Sequence, residues 1–296
     1  MITIKKSYNI LLNKINNIYN LYEINKIFLI LFTYIFKCSR NKLYYYILIN
    51  KKLDSKKYFI FLRFLYRIKN KYPIQYIIGY TYFNGIKIFI NNNIFIPRQE
   101  TEELVNIIYK ENKNKKFIKV LDIGTGSGCI SISLRKKINT ISNFCLDYNY
   151  NILSISKKNF YINKIKDNIK FLKFNLLNSS NKYNKFLNIL PKFDIIISNP
   201  PYISYYNYYK YINSNIFYEP YKAIFVLNND ILYYYKKIIY NFYNYKLKRE
   251  GIIYFEISNK IKSKIDIYIK KKYKKLNIKF IKDSNKNYRI LKIIKK

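Results

Sequence analysis

The sequence has no histidine and no tryptophan, and its 296 residues include only six glycines, six prolines and three cysteines. Without histidine the chain can build neither a Ser-His-Asp triad nor a histidine-ligated metal site, and we expect no metal. Cys38, Cys129 and Cys145 show neither paired nor metal-ligand spacing. This pattern indicates neither a disulfide framework nor a zinc site, and it favours a reducing compartment.

Acidic residues are also scarce, since 16 Asp and Glu stand against 56 Lys and Arg for a net charge of +40. Such a charge ordinarily predicts a nucleic acid or an anionic membrane as partner. Here lysine is spread along the whole chain, and the residues in excess (Lys, Ile, Asn, Tyr and Phe) are those that AT-rich codons encode. We therefore interpret the charge as mutational bias, which permits a nucleic-acid partner without requiring one.

Long apolar runs are missing too. The most apolar run, Ile27 to Phe36, is too short for a bilayer, which needs about 20 apolar residues. The amino terminus also lacks the layout of a secretory signal. We expect a cytoplasmic monomer without a membrane partner.

Changes in the pattern of apolar residues, glycine and proline divide the chain. From Ser7 to about Lys71, apolar residues recur at helical spacing without glycine or proline, which predicts four or five helices, the last opening at an N-cap near Asp54. Beyond Pro73, Gly79 and Gly85 punctuate alternating apolar residues, which predicts a hairpin. The predicted domains are a helical amino-terminal domain for substrate recognition (1–72), a hairpin linker (73–100) and a catalytic domain (101–296).

After Thr101, a short helix (Glu102 to Glu111) leads into apolar strands that alternate with amphipathic helices. This order predicts an α/β fold with a doubly wound, mostly parallel sheet and an antiparallel pair of edge strands at the carboxyl terminus. The polar stretch Asn178 to Lys185 is predicted to be a loop. The predicted strands are Phe117–Asp122, Ser142–Asp147, Ile169–Phe174, Phe193–Ser198, Gly251–Ile257, Ile278–Lys282 and Tyr288–Ile294.

A glycine-rich loop follows the first of these strands. Its glycines let the backbone approach a ligand, and the helix that begins near Cys129 offers unpaired amides. The dinucleotide fingerprint G-x-G-x-x-G does not fit, whereas the D-x-G-x-G-x-G form resembles the cofactor loop of Rossmann-like methyltransferases. The alternative is a tight turn without a ligand. The loop comprises Gly124, Thr125, Gly126, Ser127 and Gly128.

Asp147 ends the next strand, where a carboxylate can accept hydrogen bonds from both hydroxyls of a ribose. Its place relative to the glycine loop favours that function. The alternative is an N-cap for the helix predicted over Asn149 to Asn163, which has the same appearance in sequence.

The strand Phe193–Ser198 stops at Asn199, Pro200, Pro201 and Tyr202. Prolines cannot donate to a sheet, so they lie beyond the strand's carboxyl end, where open α/β sheets bind ligands. If the Asn199 side-chain oxygen and the Pro200 carbonyl accept the two N–H bonds of a planar NH2 group, its nitrogen is oriented for methyl transfer. Tyr202 can stack on the planar group, and no strong base is needed. The alternative is a simple turn.

N-P-P-Y after such a strand resembles enzymes that methylate adenine-N6, guanine-N2 or glutamine-N5. Two further segments, Pro73 to Gly79 with Tyr82-Phe83, and Ile96 to Glu102, narrow the resemblance to the release factor glutamine-N5 methyltransferase family. The resemblance implies a class I Rossmann-like fold with a seven-stranded sheet and S-adenosylmethionine as cofactor. It also implies that the substrate is the glutamine in the G-G-Q loop of peptide chain release factors.

Carried over by this resemblance, the glycine loop, Asp147, Asn175, Leu176 and Asn199 would hold the cofactor. Asn199 to Tyr202 would hold the glutamine, while Arg98 and Glu100, together with Glu102, would shape a lid; helix capping is the alternative for these three. Asn175 and Leu176 depart from the family's acidic and large aromatic residues, from which we expect weaker cofactor affinity. Further departures are Gln99, Ser258 and Ile261.

Two other functions stay open from the sequence. The first is a nucleic-acid methyltransferase acting on exocyclic amines of adenine or guanine, which the charge and the many aromatic residues favour. Against it, the chain has no insertion large enough for a separate target-recognition domain. The second is a non-catalytic RNA-binding protein with the same fold, which an intact glycine loop, Asp147 and N-P-P-Y argue against.

Overall fold

The computed structural model describes residues 2–177, 180–212, 214–226, 230–273 and 275–296. The chain divides into two compact units, Met1–Tyr80 with Tyr211–Tyr218, and Thr81–Lys210 with Glu219–Lys296. Within the described ranges, no helix combines the length and the apolar character that a membrane span requires. The assignment of 1–72 to substrate recognition and of 73–100 to a linker stays a prediction.

The first unit is helical, and polar caps fix where its helices begin. The Asn20 side chain accepts a hydrogen bond from the backbone of Glu23, whose carboxylate accepts one from the Asn20 backbone in return. Asp54 accepts from the Lys57 amide at 2.8 Å, which confirms the predicted N-cap. The helices are α1 (Ile4–Ile15), α2 (Leu21–Phe36), α3 (Arg40–Leu48), α4 (Ser55–Lys69) and α5 (Ile74–Ile78).

A later part of the chain completes this helical unit. The hydroxyl of Tyr218 donates to the carbonyl of Asn70 at 2.7 Å, and its ring meets that of Tyr72 edge-on with centroids 5.0 Å apart. The hydroxyl of Tyr19 donates to the Asn215 side chain at 3.4 Å. Asn215 and Tyr218 therefore pack with a helical region that precedes them by well over a hundred positions.

The predicted hairpin is confirmed. Strands β1 (Tyr80–Phe83) and β2 (Ile86–Phe89) pair across the two-residue turn Asn84-Gly85, where both residues have positive φ, 46° and 74°. Asn-Gly is the preferred pair for such a type I′ turn, because both residues tolerate this backbone conformation. The Asn84 amide donates to the Glu102 carboxylate at 2.8 Å, which ties the turn to α6 (Gln99–Asn112).

The second unit contains a seven-stranded sheet in the order β10-β11-β9-β6-β3-β4-β5. Strands β3 to β6 and β9 pair in parallel, and β10 and β11 form an antiparallel edge pair. The predicted α/β fold is therefore confirmed. The strands are β3 (Lys119–Ile123), β4 (Ser142–Asp147), β5 (Ile169–Lys173), β6 (Phe193–Ser198), β9 (Leu247–Glu256), β10 (Asn277–Lys282) and β11 (Tyr288–Ile294), with a separate short pair β7 (Ile203–Ser204) and β8 (Phe225–Val226).

Helices cover this sheet, and one of them corrects a prediction. The loop expected over 178–185 is wrong from Ser180 onwards, where α9 begins; residues 178 and 179 lie outside the described residues. Tyr183 and Leu187, four residues apart, are buried against the sheet, and this burial outweighs the polar composition. The remaining helices are α7 (Cys129–Lys137), α8 (Tyr150–Ile162), α9 (Ser180–Ile189), α10 (Tyr221–Ile224), α11 (Tyr233–Ile238) and α12 (Lys262–Lys272).

One buried asparagine joins the hairpin to the glycine loop. Asn159 on α8 is fully buried, and its side-chain NH2 donates to the carbonyls of Phe89 and Ser127, both at 2.9 Å. Its side-chain oxygen accepts from the Phe89 amide at 2.8 Å. A single side chain thus satisfies three backbone groups and fixes the end of β2 against the loop that follows β3.

We predict that Asn159→Ala lowers the free energy of unfolding by about 2 to 4 kcal/mol, because one buried and two partly buried backbone groups lose their partner. Thermal and urea denaturation measure this change. Asn151→Ala is the matched control, since Asn151 lies on the same helix with an exposed side chain and should change stability little. Equal stability of the two variants would contradict the role of Asn159.

Candidate active site

The central strands bring the glycine loop and the Asn199–Tyr202 motif together at the carboxyl ends of the parallel strands. In the parallel pair β3 and β6, Ile123 lies opposite Ser198, and the Ser198 hydroxyl donates to the Ile123 carbonyl at 2.8 Å. The glycine loop therefore begins beside Asn199. The chain order reverses between these two strands, with β4 on one side and β9 on the other. Open α/β sheets bind ligands at such a switch point.

The glycine loop is built around a buried acid. Gly124, Gly126 and Gly128 have φ of 74°, 55° and 80°, a region that favours glycine. Beneath them, the Asp122 carboxylate accepts from the hydroxyls of Thr125 at 2.9 Å and Ser131 at 2.8 Å. Burial raises the pKa of Asp122 to about 6 against these hydrogen bonds. Asp122 thus holds the shape of the loop from below.

Asp147 lies across from this loop at the end of β4 and is only 5% exposed. Its carboxylate accepts from the amide of Gly126 at 3.0 Å and from that of Tyr148 at 2.8 Å. The alternative of a helix cap is wrong, because the N-cap of α8 is Asn149, whose side chain accepts from the Asn151 amide. Burial raises the pKa of Asp147 to about 6.

A cavity of about 230 Å³ opens at the carboxyl ends of the parallel strands. Most of the site residues predicted from the sequence line it, and apolar side chains make up much of the remaining wall. A partly open, mostly apolar cavity with a few polar groups is typical of a cofactor site. The predicted residues that line it are Gly124, Thr125, Gly126, Ser127, Asp147, Asn175, Leu176, Asn199, Pro200 and Pro201.

Five predicted site residues lie outside this lining, and one of them, Glu102, accepts a hydrogen bond from the Asn84 backbone amide. Gly128 faces α8, where an added Cβ would come within 2.5 Å of the Ser156 hydroxyl. Tyr202 packs, partly buried, against the core of the sheet. Arg98 and Glu100 stand at the beginning of α6, of which Arg98 is the N-cap without a side-chain cap bond. The functions predicted for these five stay predictions.

Arg98 nevertheless fixes a wall of the cavity. Its guanidinium forms an ion pair with Glu219, which is 6% exposed, and the second oxygen of Glu219 accepts from the Ile96 amide at 3.1 Å. Burial raises the pKa of Glu219, although the Arg98 charge opposes that shift. Because Phe95 and Pro97 flank these contacts and line the cavity, the ion pair holds that segment in place.

Comparison with known proteins identifies the family. Residues 99–225 match the family model described as "Methyltransferase small domain". The release factor glutamine methyltransferase of Flavobacterium psychrophilum is 39% identical over 82% of this chain and 82% of its own length. The enzyme of that name from Buchnera aphidicola is 36% identical over 88% of this chain and 89% of its own. The chain belongs to the release factor glutamine methyltransferase family.

Membership of this family confirms the predicted methyltransferase activity and S-adenosylmethionine as cofactor. Among solved structures, the catalytic domain of hMettl16 in complex with an RNA hairpin matches with a TM-score of 0.53 at 16% identity. It covers 81% of this chain and 82% of that one. At this identity the likeness supports the fold alone.

Several residues of this family member line the cavity without having been singled out from the sequence. Thr101 lies within a segment already quoted for the resemblance, but its spacing gives no sign that it contacts Asn199. Tyr148 and Lys222 approach each other, with the Lys222 ammonium 5.3 Å from the ring centroid. Tyr234 comes from α11. Only the folded chain brings these distant positions together.

The wall beside Asn175 and Leu176 has an aromatic component after all. Phe174 lines the cavity and stacks on Phe186, with centroids 4.0 Å apart and planes 4° from parallel. Asn175 is exposed, and its side-chain oxygen accepts from the Leu177 amide at 3.0 Å. Leu176 packs against the core. The weaker cofactor affinity expected from these residues stays a prediction.

The two ends of the glycine loop give a matched test of its packing. Gly124→Ala should cost about 1 kcal/mol in stability, because its φ is positive but no atom lies within 4 Å of the added Cβ. Gly128→Ala should cost roughly 2 to 4 kcal/mol, because its Cβ also meets Ser156 and Phe160. Thermal denaturation measures both; a smaller loss for Gly128→Ala would disprove the packing argument.

Proposed function

We propose that this chain transfers the methyl group of S-adenosylmethionine to the side-chain amide nitrogen of the glutamine in the G-G-Q loop of peptide chain release factors. The observation that carries this function is the position of Asn199 and Pro200 in the wall of the cavity, beside the glycine loop. Relatives of the same family carry this activity in their names. The release factor is the partner, and nucleic acid is not required.

The lining of the cavity suits S-adenosylmethionine. The cofactor supplies an electrophilic methyl group on a sulfonium. Asp147 would accept from the ribose hydroxyls, since a carboxylate has lone pairs beyond the two that the amides of Gly126 and Tyr148 use. The glycine loop would contact the amino-acid portion, and Asn175 and Leu176 would lie beside the adenine.

The side chains at the end of β6 orient the substrate. The Asn199 side-chain oxygen and the Pro200 carbonyl would each accept one N–H of the glutamine amide, which fixes its plane and enriches its nitrogen. The new N–CH3 bond would replace the S–CH3 bond of the sulfonium, which leaves as a thioether, and the nitrogen would then release one proton to water. Correct positioning supplies much of the rate, and no strong base is needed before the bond forms. Tyr202 would stack on the amide plane, and Arg98 and Glu100 would shape the lid over it.

The remaining expectations belong to the same proposal. The helical residues 1–72 and the hairpin region 73–100 would hold the release factor while its glutamine enters the cavity. The enzyme would act as a monomer in the cytoplasm, where release factors work. A nucleic-acid methyltransferase remains as an outcome of the experiment below.

Incubation of the enzyme with S-adenosylmethionine and a full-length release factor should add one methyl group to the G-G-Q glutamine. Mass spectrometry of the tryptic peptide measures the gain, and fragmentation assigns it to the side chain. A release factor with alanine in place of that glutamine is the control and should stay unmodified. Modification of both proteins, or of DNA or RNA alone, would refute the glutamine assignment.

Asp147→Asn should weaken S-adenosylmethionine binding about 10- to 100-fold, because hydrogen bonds to a charged acceptor are lost. Binding to the unsubstituted enzyme should also weaken as pH falls through about 6, since the raised pKa of Asp147 means that its carboxylate takes up a proton there. The variant should lose the share of this pH dependence that Asp147 contributes, and the share that remains belongs to Asp122, whose pKa burial also raises to about 6. Calorimetry from pH 5 to 8, roughly one unit or more on either side of that pKa, measures both effects.

Asp167→Asn is the control for this titration, because Asp167 is an exposed carboxylate of the same unit. Its affinity for the cofactor should match that of the unsubstituted enzyme at every pH. Affinity that is unchanged in Asp147→Asn would exclude Asp147 from the cofactor site.

A further inference from the structure

A buried glutamate stands next to the proposed catalytic residue. Glu256 ends β9 and is 3% exposed. In the parallel pair β6 and β9, Ser198 lies opposite Phe255, so Asn199, which follows the end of β6, comes next to Glu256, the last residue of β9. Burying a carboxylate is costly unless it has partners. Direct methyl transfer to an amide uses no such acid, so the presence of a carboxylate at this place calls for another function.

Thr101 connects Glu256 to Asn199. Thr101, in the first turn of α6, is 3% exposed, and its hydroxyl donates to a carboxylate oxygen of Glu256 at 2.6 Å. The same hydroxyl oxygen accepts from the side-chain NH2 of Asn199 at 3.3 Å. A hydroxyl carries one proton. Because the Thr101 proton is directed to Glu256, Thr101 can only accept from Asn199.

The direction of the Asn199–Thr101 hydrogen bond determines the orientation of the Asn199 side-chain amide. Its NH2 group is turned toward Thr101, so its oxygen is directed to the other side, where it can accept from a substrate. With the amide reversed, an NH2 group would meet the NH2 of the glutamine, and two donors cannot form a hydrogen bond. We propose that Glu256 and Thr101 are positioning residues that hold the Asn199 oxygen toward the substrate amide. This inference rests on the proposed function.

The protonation of Glu256 controls the chain of hydrogen bonds. A protonated Glu256 can donate to Thr101, whose own proton is then free to point at Asn199 and favours the reversed amide. Burial raises the pKa of Glu256 to about 7, with the Thr101 hydrogen bond opposing that shift. Besides its hydrogen bond with Thr101, Glu256 interacts electrostatically with the titratable side chains of Arg98, Glu100, Cys129, Tyr202, Tyr235 and Arg289.

The test compares kcat for methylation of a full-length release factor at saturating S-adenosylmethionine. Thr101→Val should lower kcat about 10- to 100-fold, with KM for the release factor and the cofactor Kd changed by less than about threefold. Thr101→Ser, which restores the hydroxyl, should recover most of kcat. Thr140→Val is the control and should leave kcat unchanged, since Thr140 lies before the amino end of β4, at the end of the parallel strands away from the cavity.

The pH profile tests Glu256 separately. The kcat of the unsubstituted enzyme should rise as pH increases through about 7, where Glu256 loses its proton. Glu256→Gln cannot titrate, so its kcat should not change with pH over that range. This measurement also serves if Thr101→Val fails to fold, which thermal denaturation would reveal.

The outcomes separate the two proposals. An active unsubstituted enzyme with an unchanged kcat in Thr101→Val, or a loss that Thr101→Ser does not recover, overturns the positioning function of Thr101. A pH dependence that persists in Glu256→Gln overturns that of Glu256. Absence of release-factor methylation by the unsubstituted enzyme instead refutes the proposed function.

Discussion

The parallel pairing of β3 with β6 is the constraint on which the site depends. It sets Ile123 opposite Ser198, so that the glycine loop and Asn199 follow the carboxyl ends of two neighbouring strands at the same height. The outer pairings extend this alignment, with Asp147 at the end of β4 and Glu256 at the end of β9. A shift of one residue in this register would separate the cofactor loop from the substrate residues.

Buried polar side chains fix the loops that surround the cavity. Asp122 supports the glycine loop from below, Asn159 joins that loop to the hairpin, and Glu219 fixes the segment that precedes α6. Because an unpaired polar group is costly in such surroundings, Asn159 and Glu219 use both of their side-chain polar atoms in hydrogen bonds, and Asp122 accepts two hydrogen bonds at one carboxylate oxygen. In a chain whose composition is dominated by lysine, isoleucine and asparagine, these few interior groups supply the specificity of the fold.

The elements that the sequence predicted well are those with a local cause. Strands Ser142–Asp147, Phe193–Ser198 and Tyr288–Ile294 match the structure at both ends, because apolar periodicity and turn residues act within a few positions. Helix α9 escaped prediction, since its polar sequence is helical only through packing of Tyr183 and Leu187. The attachment of residues 211–218 to the helical unit has no local signal at all.

The sequence by itself determined the fold class, the glycine loop, Asp147 as a candidate ligand and Asn199 to Tyr202 as the candidate substrate residues. These rest on backbone geometry and on motifs that are continuous in the chain. Tertiary structure alone decided that Asn149 and not Asp147 caps α8, that Tyr202 packs against the core, and that Thr101 lies between Glu256 and Asn199. Hydrogen bonds between positions about a hundred residues apart or more arise only when the sheet and its covering helices have assembled.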